Sequence, residues 1–331
     1  MHTRSPRRLA VLVPWLGPMG LLLLTAVVLP PHPATAWLLT PAHAQPKKDA
    51  PVSVEKQKQA AEALLKKLAI KDIAHYETPN LLLYSTTSEA KLKTLSEGMQ
   101  KQFALAQKVL RFEEGKAAWA GKLALFIFPN RLDFVEFVRQ VEKRSVLADD
   151  HLALQLTGDT PYLAVGPVRG ASGEEVNQDA MIELIGALIR GRVGTAVQVP
   201  EAVLRGFAWA IAARTNPTKA VLAERKQLQT LIKLNPKRTI REAWDGSAAA
   251  KEAELMTNSL IEWVFFGPEA SKSTEFLMAF RPGENGQVPS LEQALDIAKY
   301  GVPAKVADPA KLPNVVERVT PLWQRFVLTG R

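Results

Sequence analysis

The chain contains no cysteine. Disulfides, thiolate zinc sites, iron–sulfur clusters and cysteine nucleophiles are therefore excluded. Histidine is almost as scarce. Of the five present, His2, His32 and His43 fall at the start, which leaves His75 and His151 for everything after. Serine and aspartate are plentiful, yet no G-x-S-x-G elbow is present and no S-x-x-K motif has its partners, so a serine hydrolase is unsupported. No phosphate-binding G-x-x-x-x-G-K-[ST] is found and no G-x-G-x-x-G follows a strand, so neither a nucleotide nor any other cofactor is implied. Internal repeats and low-complexity tracts are missing as well. What is there is an ordinary globular balance, 47% hydrophobic and 23% charged in 331 residues, which excludes wholesale disorder.

The first 44 residues read as an address. Arg4, Arg7 and Arg8 form a positive start, an apolar stretch runs from Leu9 to Leu29, and Ala42-His43-Ala44 supplies a small-x-small cleavage pattern. In that order these parts predict a signal peptide, residues 1–44, cut after Ala44. The apolar stretch is also long enough to stay in the membrane as an anchor, but Pro14, Gly17, Pro18 and Gly20 interrupt it. No later stretch is long and apolar enough to span a bilayer. The expectation is an exported chain, periplasmic or extracellular. Cleavage would remove three arginines and take the formal charge from +9 to +6. Without cysteine, such a chain must rely on its core, and it is long enough to build one.

Residues 45–52 are polar, with two prolines and Lys47-Lys48, and read as a flexible leader. From Ser53 a helix is expected, since Ala61, Leu64, Leu65 and Leu68 keep helical spacing. Strands are predicted at Leu81–Tyr84, Leu123–Phe128, Leu152–Leu156 and Tyr162–Val165, with helices after the first two. A region 53–173 is therefore mixed α/β. The region 174–331 reads as helices only, at about 174–190, 201–213, 218–233, 250–266, 269–280, 291–299 and 314–328. Glu174–Arg190 is apolar on nearly every side and should be buried all round. The fold class expected is α+β: a small mixed sheet with helices, then an all-helical half.

Two of these helices carry a specific pattern. The first reads Ile182-Glu183-Leu184-Ile185-Gly186 and the second Val203-Leu204-Arg205-Gly206-Phe207-Ala208-Trp209. With the order of elements around them, they resemble the gluzincin, or peptidase MA-like, zinc metallopeptidases, most of all exported bacterial members of uncharacterised function. In that family a buried helix carries H-E-x-x-H: two histidines one turn apart hold zinc, and the glutamate between them is the general base. A second helix supplies a glutamate as third ligand, usually within x-x-E-G-x-A. The resemblance covers about residues 75–328 and implies a zincin-like fold. It places Ile182 and Gly186 where the histidines would be, Glu183 at the base, and Arg205 at the third ligand, with Gly206 and Ala208 matching. Isoleucine and glycine cannot bind zinc and arginine repels it. The resemblance thus implies the fold without the activity: a pseudopeptidase with no metal and no catalytic residue.

Glu183 has two readings: a helix residue turned toward solvent or a small polar pocket, or an ion pair with Arg205, the guanidinium replacing the charge of the absent metal, because an unpaired buried charge is costly. His75 and His151, with Asp149 and Asp150, lack the helical spacing of a metal site and are expected at the surface or at strand ends. Gly166-Pro167-Val168-Arg169-Gly170 with Gly173 either borders the cleft or merely connects. Lys47, Lys48, Lys56, Lys58, Lys66, Lys67 and Lys71 make the N-terminal helix basic, a solvated face or a dock for an anionic envelope surface. Nucleic acid is not expected as a partner. The function expected is non-catalytic binding of a peptide or protein in the cell envelope. The alternatives are an active zinc metallopeptidase with displaced ligands, and a structural envelope protein held by its basic N-terminal helix.

Overall fold

Mostly apolar strands and helices of amphipathic spacing assemble around one mixed sheet in the computed structural model. It describes residues 53–68, 70–113, 117–168, 173–194, 196–303, 305 and 311–330. The expected signal peptide, the leader and Arg169–Gly170 of the glycine-rich loop lie outside them. The order is α1 (Val54–Lys67), β1 (Ala74–Glu77), β2 (Leu81–Ser85), α2 (Glu89–Val109), β3 (Leu123–Ile127), α3 (Arg131–Phe137), β4 (Leu152–Gln155) and β5 (Tyr162–Val165). Helices follow: α4 (Gly173–Val193), α5 (Glu201–Thr215), α6 (Lys219–Leu234), α7 (Ala250–Phe266), α8 (Ser273–Met278), α9 (Leu291–Ile297) and α10 (Val315–Thr329). The α+β class expected from the sequence is what the chain adopts.

The strand order is β1-β2-β3-β5-β4. β2, β3 and β5 are parallel; β1 and β4 close the two edges antiparallel. β2, β3 and β5 are buried at every position, as strands covered on both faces must be. Alternate residues go to opposite sides. Leu82, Tyr84, Ala124, Phe126 and Ala164 meet Ala61 and Leu65 of α1 and Phe134 and Phe137 of α3. Leu81, Leu83, Leu123, Leu125, Leu163 and Val165 share a larger core with α2, α4 and the helical half.

One strand was not foreseen. β1 alternates half-buried and exposed over four residues, too short and too polar to announce itself, and it carries His75 within the strand rather than before it. The helix expected at 269–280 divides into a 3₁₀ turn at Ala270–Lys272 and α8. α3 loosens into a π-helical turn at Val138–Glu142, which ends at Lys143 in the left-handed region, φ 55°. The expectation that the helix at Glu174–Arg190 is buried all round holds only for its C-terminal half. Glu183 to Ile189 are buried without a break, whereas Gln178 is exposed and Asn177, Met181 and Ile182 remain partly open. The N-terminal half of α4 borders a groove, and apolar composition does not distinguish a groove wall from a core.

In the helical half α5 and α7 cross at close range. A Cβ on Gly206 would lie 2.9 Å from the Ile261 side chain, so only glycine permits the approach. Phe207 and Phe265 pack with ring centroids 4.3 Å apart. Two buried aromatic tips are satisfied: the Trp323 indole donates to Ser259 Oγ at 3.0 Å and the Tyr300 hydroxyl to the Val264 carbonyl at 3.0 Å.

Candidate functional site

α4 presents two stripes. Gln178, Met181 and Ile182 look into a groove of about 950 Å³ walled by α2, α4, α5, α6 and α7. One step of about 100° further round the helix, Asp179, Glu183, Gly186 and Arg190 form a second row at spacings of four, three and four. The two stripes separate residues that the motif pattern groups together.

Arg205 lies on the groove side, with Ala202, Ala208, Trp209, Ala212 and Asn216 of α5. Small side chains open the space here; three of those five are alanine. Arg205 donates from Nε to Glu201 Oε1 at 2.7 Å, one turn back on its own helix, and both side chains are about half exposed. The ion pair expected between Glu183 and Arg205 is therefore replaced. Glu183 turns toward the sheet, where its side chain is 5% exposed, and meets other cations.

His151, at the entry to β4, points Nε2 at Glu183 Oε1, 3.4 Å away, and Nδ1 at the Asp149 carbonyl, 3.3 Å away. Both ring nitrogens thus face acceptors, and only the imidazolium can donate to two at once. The Glu183 carboxylate beside it, then the Asp149 carbonyl, raise the His151 pKa above its ordinary 6.5, against the opposing pull of burial. On the other side Arg190 Nη1 stands 3.8 Å from Glu183 Oε2. That nitrogen is buried without a hydrogen bond, held beside the carboxylate by charge alone. Gly186 lies beneath this contact, where a Cβ would be 3.3 Å from the same Nη1. The carboxyl of Asp179, one turn before Glu183, is pushed up chiefly by its own burial, while His151 and Arg205 pull it down.

Of the four positions grouped by the motif pattern, Ile182 and Arg205 line the groove. It gave no sign of His151 as the partner of Glu183. Thirty-two positions and two strands, β4 and β5, separate the two, and nothing local couples them. Gly186 and Glu183 do not line the groove at all. His75 stays in β1, apart from this cluster. Among the described residues no three or more of His, Asp and Glu are placed to hold a metal ion together, and no helix is long and apolar enough to cross a membrane.

Around the groove the charges balance locally. Lys251 Nζ is 3.0 Å from Glu224 and 3.3 Å from Glu254, and the Trp209 indole donates to Glu224 at 3.0 Å. Arg225 lies over the Trp209 ring, 5.6 Å from its centroid, and also donates to Glu262 at 2.6 Å. Glu262 is buried, and accepts from Arg214 at 2.8 Å as well, so one carboxylate ties α5, α6 and α7 together under the groove floor. Compared with models of known families, with curated proteins and with solved structures, the chain matches none.

Proposed function

We propose that this chain is an exported, non-catalytic protein of zincin-like architecture whose groove binds a peptide or protein segment in the cell envelope. One observation carries the reading. Ile182 and Arg205, at two of the three positions where the resemblance implies metal ligands, both line the large groove. A branched alkyl side chain and a guanidinium there leave the groove a concave, mostly apolar surface, the kind that holds ligands. Glu183, which stands where the resemblance implies the base, faces His151 and Arg190 instead. The zincin-like order of a strand-rich half followed by two motif-bearing helices rests on fold analogy, and export rests on the N-terminal pattern at Arg4–Ala44.

An active metallopeptidase with displaced ligands is the weaker reading, because it requires a donor set that the groove walls do not offer. Attachment through the basic helix is weaker too: Lys58 of α1 is already paired with Glu77 at 2.5 Å. The test has two measurements on protein labelled at isoleucine and methionine methyls. Bound metal is quantified after zinc equilibration, and a pool of hexapeptides is titrated while the Ile182 and Met181 methyl signals are followed. Zinc well below one per chain, with shifts confined to the groove methyls, is expected. One tight zinc per chain, or no groove response to any peptide, overturns the proposal.

A further inference from the structure

Five primary amides line the groove: Gln102 on α2, Asn177 and Gln178 on α4, Asn216 at the end of α5 and Asn258 on α7. None of these side chains makes a hydrogen bond within the described residues. Two are more than nine-tenths buried, Gln102 at 9% exposure and Asn258 at 8%. Their amide atoms are not sealed from solvent; both open onto the same cavity with hydrogen-bonding capacity that the protein itself leaves unused.

A primary amide offers N–H donors and a carbonyl acceptor. A peptide bond offers one of each, so the two are complementary in pairs. The groove is also long. A second hollow of about 340 Å³ shares Leu95, Gln102, Met181 and Asn216 with the main one, which extends it between α2 and the end of α5. Along its floor, Arg205 to Asn216 spans about 16 Å of helix, the length of about five extended residues. The charged side chains on the walls of the main groove cancel, Arg205 and Lys251 against Glu224 and Glu254, and the second hollow adds Lys101. One lysine does not make a site for a phosphate or a strongly charged ligand.

Resting on the peptide-binding reading above, we infer that the groove holds an extended, uncharged polypeptide segment by its main chain. Gln102 and Asn258 pair with its peptide groups, and the aliphatic floor of Leu95, Met181, Ile182 and Val221 takes its apolar side chains. Recognition is therefore tolerant of sequence. A sugar chain also carries neutral hydrogen-bonding groups, but sugar sites stack rings on open aromatic faces. Here Arg225 already covers one face of Trp209 and Glu224 takes its N–H, while the rest of the floor is aliphatic.

The test uses protein produced from the full chain and three probes: an acetylated, amidated Val-Ser hexapeptide, the same peptide N-methylated at alternate residues, and an N-acetylated hexasaccharide. Affinity is measured by calorimetry and located by the Ile182 and Met181 methyl signals. The unmodified peptide is expected to bind in the groove and the N-methylated one to bind about tenfold or more weaker, one lost hydrogen bond being worth roughly that factor. Asn258→Leu and Gln102→Leu are each expected to lose about tenfold for the unmodified peptide only. Their melting temperatures should be unchanged or higher, since neither amide makes a hydrogen bond within the described residues. Equal binding of the two peptides overturns main-chain recognition and leaves the peptide-binding reading standing. So does binding by a side-chain-varied peptide pool but not by the Val-Ser peptide. A groove that answers only to the hexasaccharide, or to none of the probes, overturns both.

Discussion

Ile182 and Glu183 are neighbours in the chain and face different worlds. The hundred-degree step between them puts one in the groove and the other against the sheet. Glu183 lies between His151 and Arg190, so its charge is answered by two cations of the protein. Because the folded pKa of His151 lies above 6.5, raised mainly by Glu183, its contribution to stability is fully present below about pH 6.5 and is lost as pH rises through the folded value. The unfolding free energy of the wild type, relative to His151→Gln, should therefore decline as the pH rises above about 6.5 in urea titrations. A difference that stays flat over that range contradicts the clasp. The glycines separate by the same kind of geometry. Gly206→Ala places a Cβ 2.9 Å from Ile261 and should cost about 1–3 kcal/mol. Gly186→Ala meets only the tip of Arg190 at 3.3 Å and should cost well under 1 kcal/mol, since a flexible side chain can yield. Equal losses for the two in urea unfolding would refute that distinction.

Among the elements, α1 shows how a segment that reads as a basic surface helix becomes part of the body. Its Gln57, buried among lysines in sequence, donates to the carbonyls of Ala120 at 3.0 Å and Asp159 at 2.9 Å and accepts from the Lys122 amide at 2.9 Å. Gly121, at φ 65°, has room only for that contact, since a Cβ would fall 2.5 Å from the Gln57 amide oxygen. Gln57→Ala leaves these backbone groups unpaired in a buried place and should destabilise by about 2–4 kcal/mol, read from the urea midpoint. Loss of less than about 0.5 kcal/mol would mean that water replaces the amide without penalty. The elements themselves were largely legible, because periodicity is local: 3.6 for α2 and continuous apolar runs for β2, β3 and β5. β1 was not, being four polar-alternating residues on an edge. Nor were the amides of Gln102 and Asn258, which sit at ordinary polar positions of amphipathic helices until other helices close around them.

At the scale of the whole molecule, one core crosses the boundary at residue 173. Leu81, Leu125 and Val165 of the sheet belong to the same buried cluster as Val203, Phe207 and Trp263 of the helices, and residues Asp49–Arg331 form one compact unit. The α/β half and the helical half should therefore unfold together. Far-ultraviolet circular dichroism and tryptophan fluorescence are expected to trace a single coincident urea transition; two separated midpoints would show that the halves are independent. The groove depends on that union, since α2 comes from one half and α5, α6 and α7 from the other.

By itself the sequence determined the α+β class and the order and type of nearly every element. Both follow from spacing within a dozen residues. Tertiary packing decided the rest: the rotation of α4 that parts Ile182 from Glu183, the union of Glu183 with His151 across thirty-two residues, and the two buried amides left open to the groove. A helix carries the identity of its faces in its sequence, but which face meets which neighbour depends on how distant segments pack. That phase is set by the fit of whole surfaces, and no local pattern contains it.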